Sequence, residues 1–401
     1  GQEGIELAFQ STLAGKSGSR RVIKDRLGQI VEDMESIREA QNGRDLALAL
    51  DAKLQNLAFA QLKLAVENNK AKAGAIVVLD AKTGEVLALA NLPTYNPNNR
   101  SRLSGAQLRN RVITDTFEPG STLKPFTVAV AIESGKVTPE SSIATAAGSL
   151  TIGRATIHDA HRFGDMTVAQ VIQRSSNVGA AKIALGLPAE AMWGMFDKVG
   201  FGSVPRLGFP GGASGKLRAY KTWHPIEQAT MAYGHGISVS LLQLARAYTI
   251  FARDGELMPL SLVRVDAPLA GKQVISPATA RKLRDMLELA VEPGGTAPRA
   301  RVMGYRVAGK TGTAHKEENG GYAEHKYVSS FVGFAPASDP RLVIAVMLDE
   351  PSAGQYYGGA VAAPVFSAVM GGALRMLGVP PDAPLKPLEL PPESTEIKEG
   401  V

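Results

Sequence analysis

Two blocks of short apolar runs lie far apart in the chain, with a long stretch of mostly helical character between them. Residues 74–80 and 85–90 are apolar and joined by the turn-like Ala81-Lys82-Thr83-Gly84, which predicts a hairpin. Strand-like runs return only at residues 305–314, 328–336 and 341–349. Residues 136–300 read as mostly helical, broken by Gly- and Pro-rich segments at 208–215 and 292–295. A helix is predicted at 54–68, where Leu54, Leu57, Ala58, Leu62, Leu64 and Ala65 recur at three- and four-residue steps, and a closing helix at 363–377. Strands, a helical insertion, strands and a helix predict an α+β domain. Its antiparallel sheet, flanked by helices, closes over a helical subdomain.

The two ends read differently. Residues 1–50 are charged and loosely periodic, with one weakly alternating run at 20–25 and a turn or join at 15–19. They predict a small module without a core of its own. From Pro380 the chain is Pro-rich (Pro381, Pro384, Pro387, Pro391 and Pro392 follow), which predicts an extended, poorly packed tail. The expected divisions are therefore 1–50, 51–379 and 380–401. Gly1-Gln2-Glu3-Gly4 carries no initiator Met, basic region or apolar region, so a trimmed N-terminus that has lost a signal or anchor is expected.

Composition narrows the chemistry. Hydrophobic residues make up 44% of the 401, enough for a sizeable core. The net charge of +6 is scattered, without the stripe or arm that nucleic-acid binding requires. With no cysteine, there is no disulfide, thiol nucleophile or zinc ribbon. The six histidines show no metal-ligand spacing; His158 and His161 form a pair without a third ligand. No apolar run approaches the roughly 20 residues that span a bilayer.

Three short patterns occur in order: Ser121-Thr122-Leu123-Lys124, Ser175-Ser176-Asn177 and Lys310-Thr311-Gly312-Thr313. Ser121 follows Glu118-Pro119-Gly120 and opens a helical segment reaching about Ser134, so helix dipoles favour negative charge there. Lys124, three residues on, shares its face. A serine hydroxyl needs an adjacent base, and an ammonium cannot serve. Burial and a second cation, for which Lys310 is a candidate, both lower a lysine pKa. Ser175 and Asn177 sit where the helical run 168–174 ends. Ser175 can pass a proton between Lys124 and a leaving amine, and Asn177 can hold Lys124 and a substrate carbonyl. On the strand, Gly312 allows close approach of a ligand. The N–H groups of Ser121 and Thr313 predict an oxyanion hole. Lys310, Thr311 and Thr313 suit a substrate carboxylate. Each pattern alone has a bland reading: a surface helix face, a helix cap, a polar edge strand. Together, in matching contexts, they predict a serine acyltransferase with Ser121 as its nucleophile.

The chain resembles the class B penicillin-binding proteins, and within them the cell-division type. Phe117-Glu118-Pro119-Gly120-Ser121 resembles the nucleophile segment, preceded by Asn110-Arg111. Tyr233-Gly234-His235-Gly236 is similar to the family's cleft-wall motif, and the His315-Lys316 ending of the third motif to the division type. Glu3-Gly4-Ile5-Glu6 and residues 20–26 resemble a shortened N-terminal pedestal domain, and Tyr356-Tyr357-Gly358-Gly359 a cleft-lining loop. The resemblance implies the fold shared with serine β-lactamases, with Glu118, Tyr233, Tyr356 and Tyr357 added to the substrate and β-lactam contacts. It implies a peptidoglycan D,D-transpeptidase of the septum at the periplasmic face of the inner membrane, tethered by one N-terminal helix. Stem peptides ending in D-alanyl-D-alanine, β-lactams, a lipid-II polymerase and other division proteins are the implied partners, and no metal or organic cofactor is implied. The departure is Ser176, where the motif is commonly written with Asp.

Four alternatives stay open: an elongation-type transpeptidase, a D,D-carboxypeptidase, a non-catalytic β-lactam sensor, and a β-lactamase, for which no segment activating a water is evident. His235 and His315 are not read as bases, since Lys124 fills that role and no Ser-His-Asp spacing supports a triad. Residues 317–322 are expected to be a polar, mobile loop.

Overall fold

The computed structural model describes residues 1–318, 320–390, 392 and 396–401. Pro391, named above, and Asn319, which falls within the stretch 317–322, lie outside the described residues. The chain divides into two compact units, residues 1–48 with 206–211, and residues 49–205 with 212–401.

In the first unit, β1 (Ser19–Lys24) pairs antiparallel with β2 (Ile30–Arg38). The weak alternation at 20–25 predicts the first strand; the second carries no such signal. No residue of 1–50 is buried, and Leu27, Val31, Met34 and Ile37 are all more than half exposed.

In the second unit, α1 (Ala52–Asn68) starts at Asp51, whose carboxylate accepts from the N–H groups of Lys53 and Leu54. β3 (Ala73–Asp80) and β4 (Val86–Leu92) form the expected hairpin. The chain then enters the helical region through a 3₁₀ turn, Gly120–Leu123, that runs into α2 (Lys124–Glu133). There follow α3 (Val168–Gln173), α4 (Asn177–Leu185), α5 (Leu241–Ala252) and α6 (Pro277–Leu289). The insertion is less uniformly helical than expected. Residues Ser149–Ile152 and Ala155–His158 pair as a small hairpin across Gly153-Arg154, with Gly153 at φ +62°. Four-residue strands carry too few alternations to stand out beside helical periodicity.

The chain returns as β5 (Ala308–Glu318), β6 (Gly321–Ala335), β7 (Leu342–Asp349) and α7 (Ala363–Met376). The sheet order is β5-β6-β7-β3-β4, every pair antiparallel. β7 lies on β3 from Leu342↔Asp80 to Asp349↔Ala73, so the late strands dock onto the early hairpin and close the domain. One face packs Ile76, Val78, Ile344, Val346 and Phe331 against Leu54, Leu62, Phe366 and Val369 of α1 and α7. The other face meets α5, so β3 is buried along its whole length and reads as a continuous apolar run. Gly358–Met376 is long and apolar enough to cross a bilayer, but 67% of that window is buried in the fold, where it covers the sheet.

Two expectations are corrected. The stretch expected to be a polar loop is paired where it is described: β5 and β6 continue until Glu317 faces Tyr322 and Glu318 faces Gly321. The tail is not poorly packed at its end. Glu399 is 3% exposed and bonded to β5, and Glu396 bonds Arg299 at 2.8 Å. A Pro-rich composition sets local stiffness; it does not report a contact made about 88 residues away along the chain.

Candidate active site

The 3₁₀ turn places the first two groups. With about three residues per turn, positions i and i+3 eclipse, so Ser121 and Lys124 stack. Lys124 Nζ lies 2.9 Å from Ser121 Oγ. The expectation of an α-helix opening at Ser121 is thus refined: the α-helix proper begins at Lys124. Residues 124–132 are all buried, and Phe126 holds α2 in place edge-on to Phe201 and Tyr248, with centroids 5.6 and 5.5 Å away.

The second pair comes from the α3–α4 corner. Ser175 has φ +59°, a left-handed conformation that a non-glycine residue adopts only under restraint. That bend turns its carbonyl oxygen to within 2.6 Å of Lys124 Nζ, with its hydroxyl at 3.0 Å. Asn177, the first residue of α4, places Oδ1 at 2.7 Å. The middle residue has its own task. Ser176 caps α4, accepting from the Gly179 N–H at 2.8 Å, and donates to Asp159 at 2.6 Å. The other Asp159 oxygen accepts from the Val178 N–H. Asp159 carries no sequence signal; it enters by closing the corner from the small hairpin.

The bonds around Lys124 leave room for a neutral amine to act as a base. Carbonyl oxygens only accept, so Ser175 O and Asn177 Oδ1 take two N–H bonds. A neutral amine then has one lone pair left for the hydroxyl of Ser121 or Ser175. Burial first, then the ammonium of Lys310, holds the Lys124 pKa well below the usual lysine range. Burial also lowers Lys310, to about 8.

β5 is an edge strand and supplies the facing wall. Lys310, Thr311 and Thr313 are fully or nearly fully buried. Thr311 Oγ1 is 3.0 Å from Thr296 Oγ1, and the Gly358 N–H donates to Thr313 Oγ1 at 2.9 Å. Gly312 is also required by packing within the protein. A Cβ there would lie 2.7 Å from the carbonyl oxygen of Pro119 and 2.5 Å from Ser330 Oγ. The nucleophile segment and Ser330 of β6 fill the space that a side chain would need.

Tyr233 lies with its ring centroid 5.9 Å from Lys124 Nζ, and burial pushes its phenol up to about 12. The turn after it is packed hard: Gly234 has φ +89°, and a Cβ would lie 2.3 Å from the Gly120 carbonyl. Glu118 is buried and occupied within the protein. It accepts from the Gly236 N–H at 2.7 Å and from the Tyr322 hydroxyl at 3.0 and 3.1 Å, and burial raises its pKa. Through these bonds it ties the turn at Gly236 to Tyr322 of β6. His235, 3.9 Å from Glu118, is pushed down to about 4 by burial and then by Lys124 and His315, so it is neutral at pH 7. Tyr356 stacks on Tyr327 at 4.0 Å and bonds Tyr357, which lies under Lys398 of the tail.

A serine hydroxyl, a buried lysine whose pKa is held down, and a hydroxyl-lined strand bearing a second lysine are the parts of an acyl-transfer centre. Residues 74–371 match the penicillin binding protein transpeptidase domain, and residues 1–48 match the penicillin-binding protein dimerisation domain. The chain belongs to the penicillin-binding protein transpeptidase family.

Relatives in this family include the probable peptidoglycan D,D-transpeptidase PenA of Neisseria flavescens, 46% identical over 387 residues and covering 96% of each chain. The peptidoglycan D,D-transpeptidase FtsI of Escherichia coli K12 is 43% identical over 96% of this chain. The chain spans 65% of that relative and 66% of PenA from Neisseria gonorrhoeae. Among solved structures, the transpeptidase domain of Burkholderia pseudomallei penicillin-binding protein 3 superposes with a TM-score of 0.78 at 50% identity. It covers 84% of this chain and 98% of that one.

Proposed function

We propose that the chain is a serine D,D-transpeptidase that cross-links peptidoglycan stem peptides during septal wall synthesis. The observation that carries this reading is the 2.9 Å contact between Ser121 Oγ and a buried Lys124 amine whose two N–H groups are taken up by obligate acceptors.

Ser121 Oγ attacks the carbonyl of the penultimate D-alanine while its proton passes to Lys124 Nζ. The N–H groups of Ser121 and Thr313 stabilise the oxyanion, each worth about 10²–10³ in rate. The C–N bond breaks, and the departing D-alanine takes the proton from Lys124 through Ser175 Oγ, 3.0 Å from Nζ. The acyl-serine is then attacked by an amine of a neighbouring stem. That amine gives a proton to Lys124, which returns it to Ser121 Oγ as the ester C–O bond breaks. Lys310, Thr311 and Thr313 receive the donor's terminal carboxylate. β-Lactams, which imitate the D-alanyl-D-alanine end, acylate the same serine.

The names FtsI and PenA of the relatives support the wall-building activity, and FtsI supports the division role. Resemblance to the division type also supports action at the periplasmic face of the inner membrane, an N-terminal anchor, and work beside a lipid-II polymerase and other division proteins. The match of residues 1–48 to a dimerisation domain supports an assembly role for that unit.

The test is intact-mass analysis after incubation with benzylpenicillin, then a D-alanyl thioester donor offered with an amine acceptor. One drug mass should be added, lost in Ser121→Ala, and the amine should appear in the product. An adduct that survives Ser121→Ala, or hydrolysis unaffected by the amine, overturns the reading.

A further inference from the structure

Residues 396–401 run across the groups assigned above to the donor peptide. Thr311 Oγ1 donates to Glu399 Oε2 at 2.9 Å, and Thr313 Oγ1 donates to Glu399 Oε1. Lys310 Nζ is 3.9 Å from the same carboxylate, with both side chains buried. On one side of Glu399, Lys398 lies over the Tyr357 ring at 5.6 Å. On the other, Gly400 passes so close to Asn177 that a Cβ would sit 2.6 Å from its Nδ2. Upstream, Glu396 is held by Arg299 at 2.8 Å.

One short segment thus engages Lys310, Thr311, Thr313, Asn177 and Tyr357 together. A buried carboxylate is costly unless paired and hydrogen-bonded, and here a cation and two hydroxyls meet it. A peptide donor needs those same groups for its own carboxylate, so tail and donor cannot occupy them at once.

We propose that residues 396–401 are a built-in plug of the cleft, with Glu399 imitating the terminal carboxylate of the donor peptide. This rests on the assignment of β5 as the carboxylate-binding strand. The tail is tethered, so its local concentration is high without tight intrinsic affinity. Donor and β-lactam then react only with the open fraction, and their apparent rate falls in proportion to it. Glu399 is not part of the reacting machinery, so its removal leaves the chemistry of Ser121 intact.

The experiment compares the full chain, Glu399→Ala, Glu399→Gln and a deletion of residues 391–401. Stopped-flow acylation by a fluorescent penicillin gives the second-order constant. Glu399→Ala and the deletion are expected to raise it at least about fivefold, and Glu399→Gln by less. A synthetic peptide of residues 391–401 is expected to slow the deleted protein, and the same peptide with Glu399→Ala is not. Equal constants for the full and deleted proteins overturn the plug while leaving the transpeptidase reading standing. Hydrogen exchange of the unacylated protein reads the plug without catalysis. Protected amides at 396–400 that become exposed in Glu399→Ala support it, and free exchange in the native chain overturns it. Absence of a Ser121 adduct in every form overturns the activity instead, and the exchange result then decides the plug alone.

Discussion

The carbonyl oxygen of Ser175 lies 2.6 Å from the amine of Lys124, and it points there because Ser175 holds a left-handed φ of +59°. A backbone bend at one residue thereby orients the base at another 51 positions away. Deleting the hydroxyl and deleting the base should consequently have different effects. In Ser175→Ala the carbonyl still grips Lys124, so acylation slows while the fold survives. In Lys124→Met the general base is gone, and acylation by benzylpenicillin should fall about 10²–10⁴-fold. Stopped-flow rates measure both; a Lys124→Met protein acylated within tenfold of the native rate contradicts the assignment.

The pH profile of acylation follows from two lysines of opposite requirement. Lys124 must be neutral, so the rate rises with pH as this amine, held well below the usual lysine range by burial and Lys310, loses its proton. Lys310 must be charged to receive a carboxylate, and its pKa is lowered to about 8. The rate should therefore decline above about pH 8, giving a bell whose falling limb belongs to Lys310. A profile that stays flat from neutral to strongly alkaline pH contradicts this.

The cap between Ser176 and Asp159 supports the corner that carries Ser175 and Asn177. Ser176→Ala removes the N-cap of α4 and should cost about 0.5–2 kcal/mol in chemical denaturation. Acylation should slow as the corner loosens. Ser176→Asp should be worse than Ser176→Ala, because a second carboxylate would face Asp159 where the two now share a 2.6 Å hydrogen bond.

Two glycines are held by sterics. Gly312→Ala sets a Cβ 2.7 Å from the Pro119 carbonyl, and Gly234→Ala sets one 2.3 Å from that of Gly120. Both push on the nucleophile segment. Each should cost about 1–3 kcal/mol of stability and slow acylation together with it. A variant of normal acylation rate and melting temperature at either position would refute the packing.

The aromatic contacts of α2 are a separate matter of stability. Phe126→Ala empties a site between Phe201, Tyr248 and Phe251, whose rings lie within 5.6 Å of its own. It should cost about 3–5 kcal/mol, measured by urea unfolding. Pre-formed active-site chemistry predicts that the protein remaining folded still acylates.

Much of this molecule is legible locally. Apolar runs at 74–80 and 341–349 announce buried strands because both faces of the sheet are covered and no alternation is left to obscure them. Ser121, Lys124, Ser175, Asn177 and Lys310 are legible because each sits at a helix start, a helix end or a strand, with spacing that side-chain geometry demands. The short hairpin at 149–158 is less so, being too brief to carry a period.

What the amino-acid sequence alone determined is the order of strands and helices and the three motifs to which the proposed nucleophile, base and carboxylate-binding strand belong. Tertiary structure decided the rest. It gave Gly312 to the Pro119 carbonyl, turned Glu118 into a tie for the cleft wall, brought Asp159 to the α4 cap and set Glu399 against Thr311 and Thr313. Those contacts join residues separated by 17 to 204 positions, as from Asp159 to Ser176 and from Glu118 to Tyr322. Periodicity and capping report only neighbours within a turn or a strand, whereas the partner of a buried polar group is fixed by which segments the closed sheet brings together.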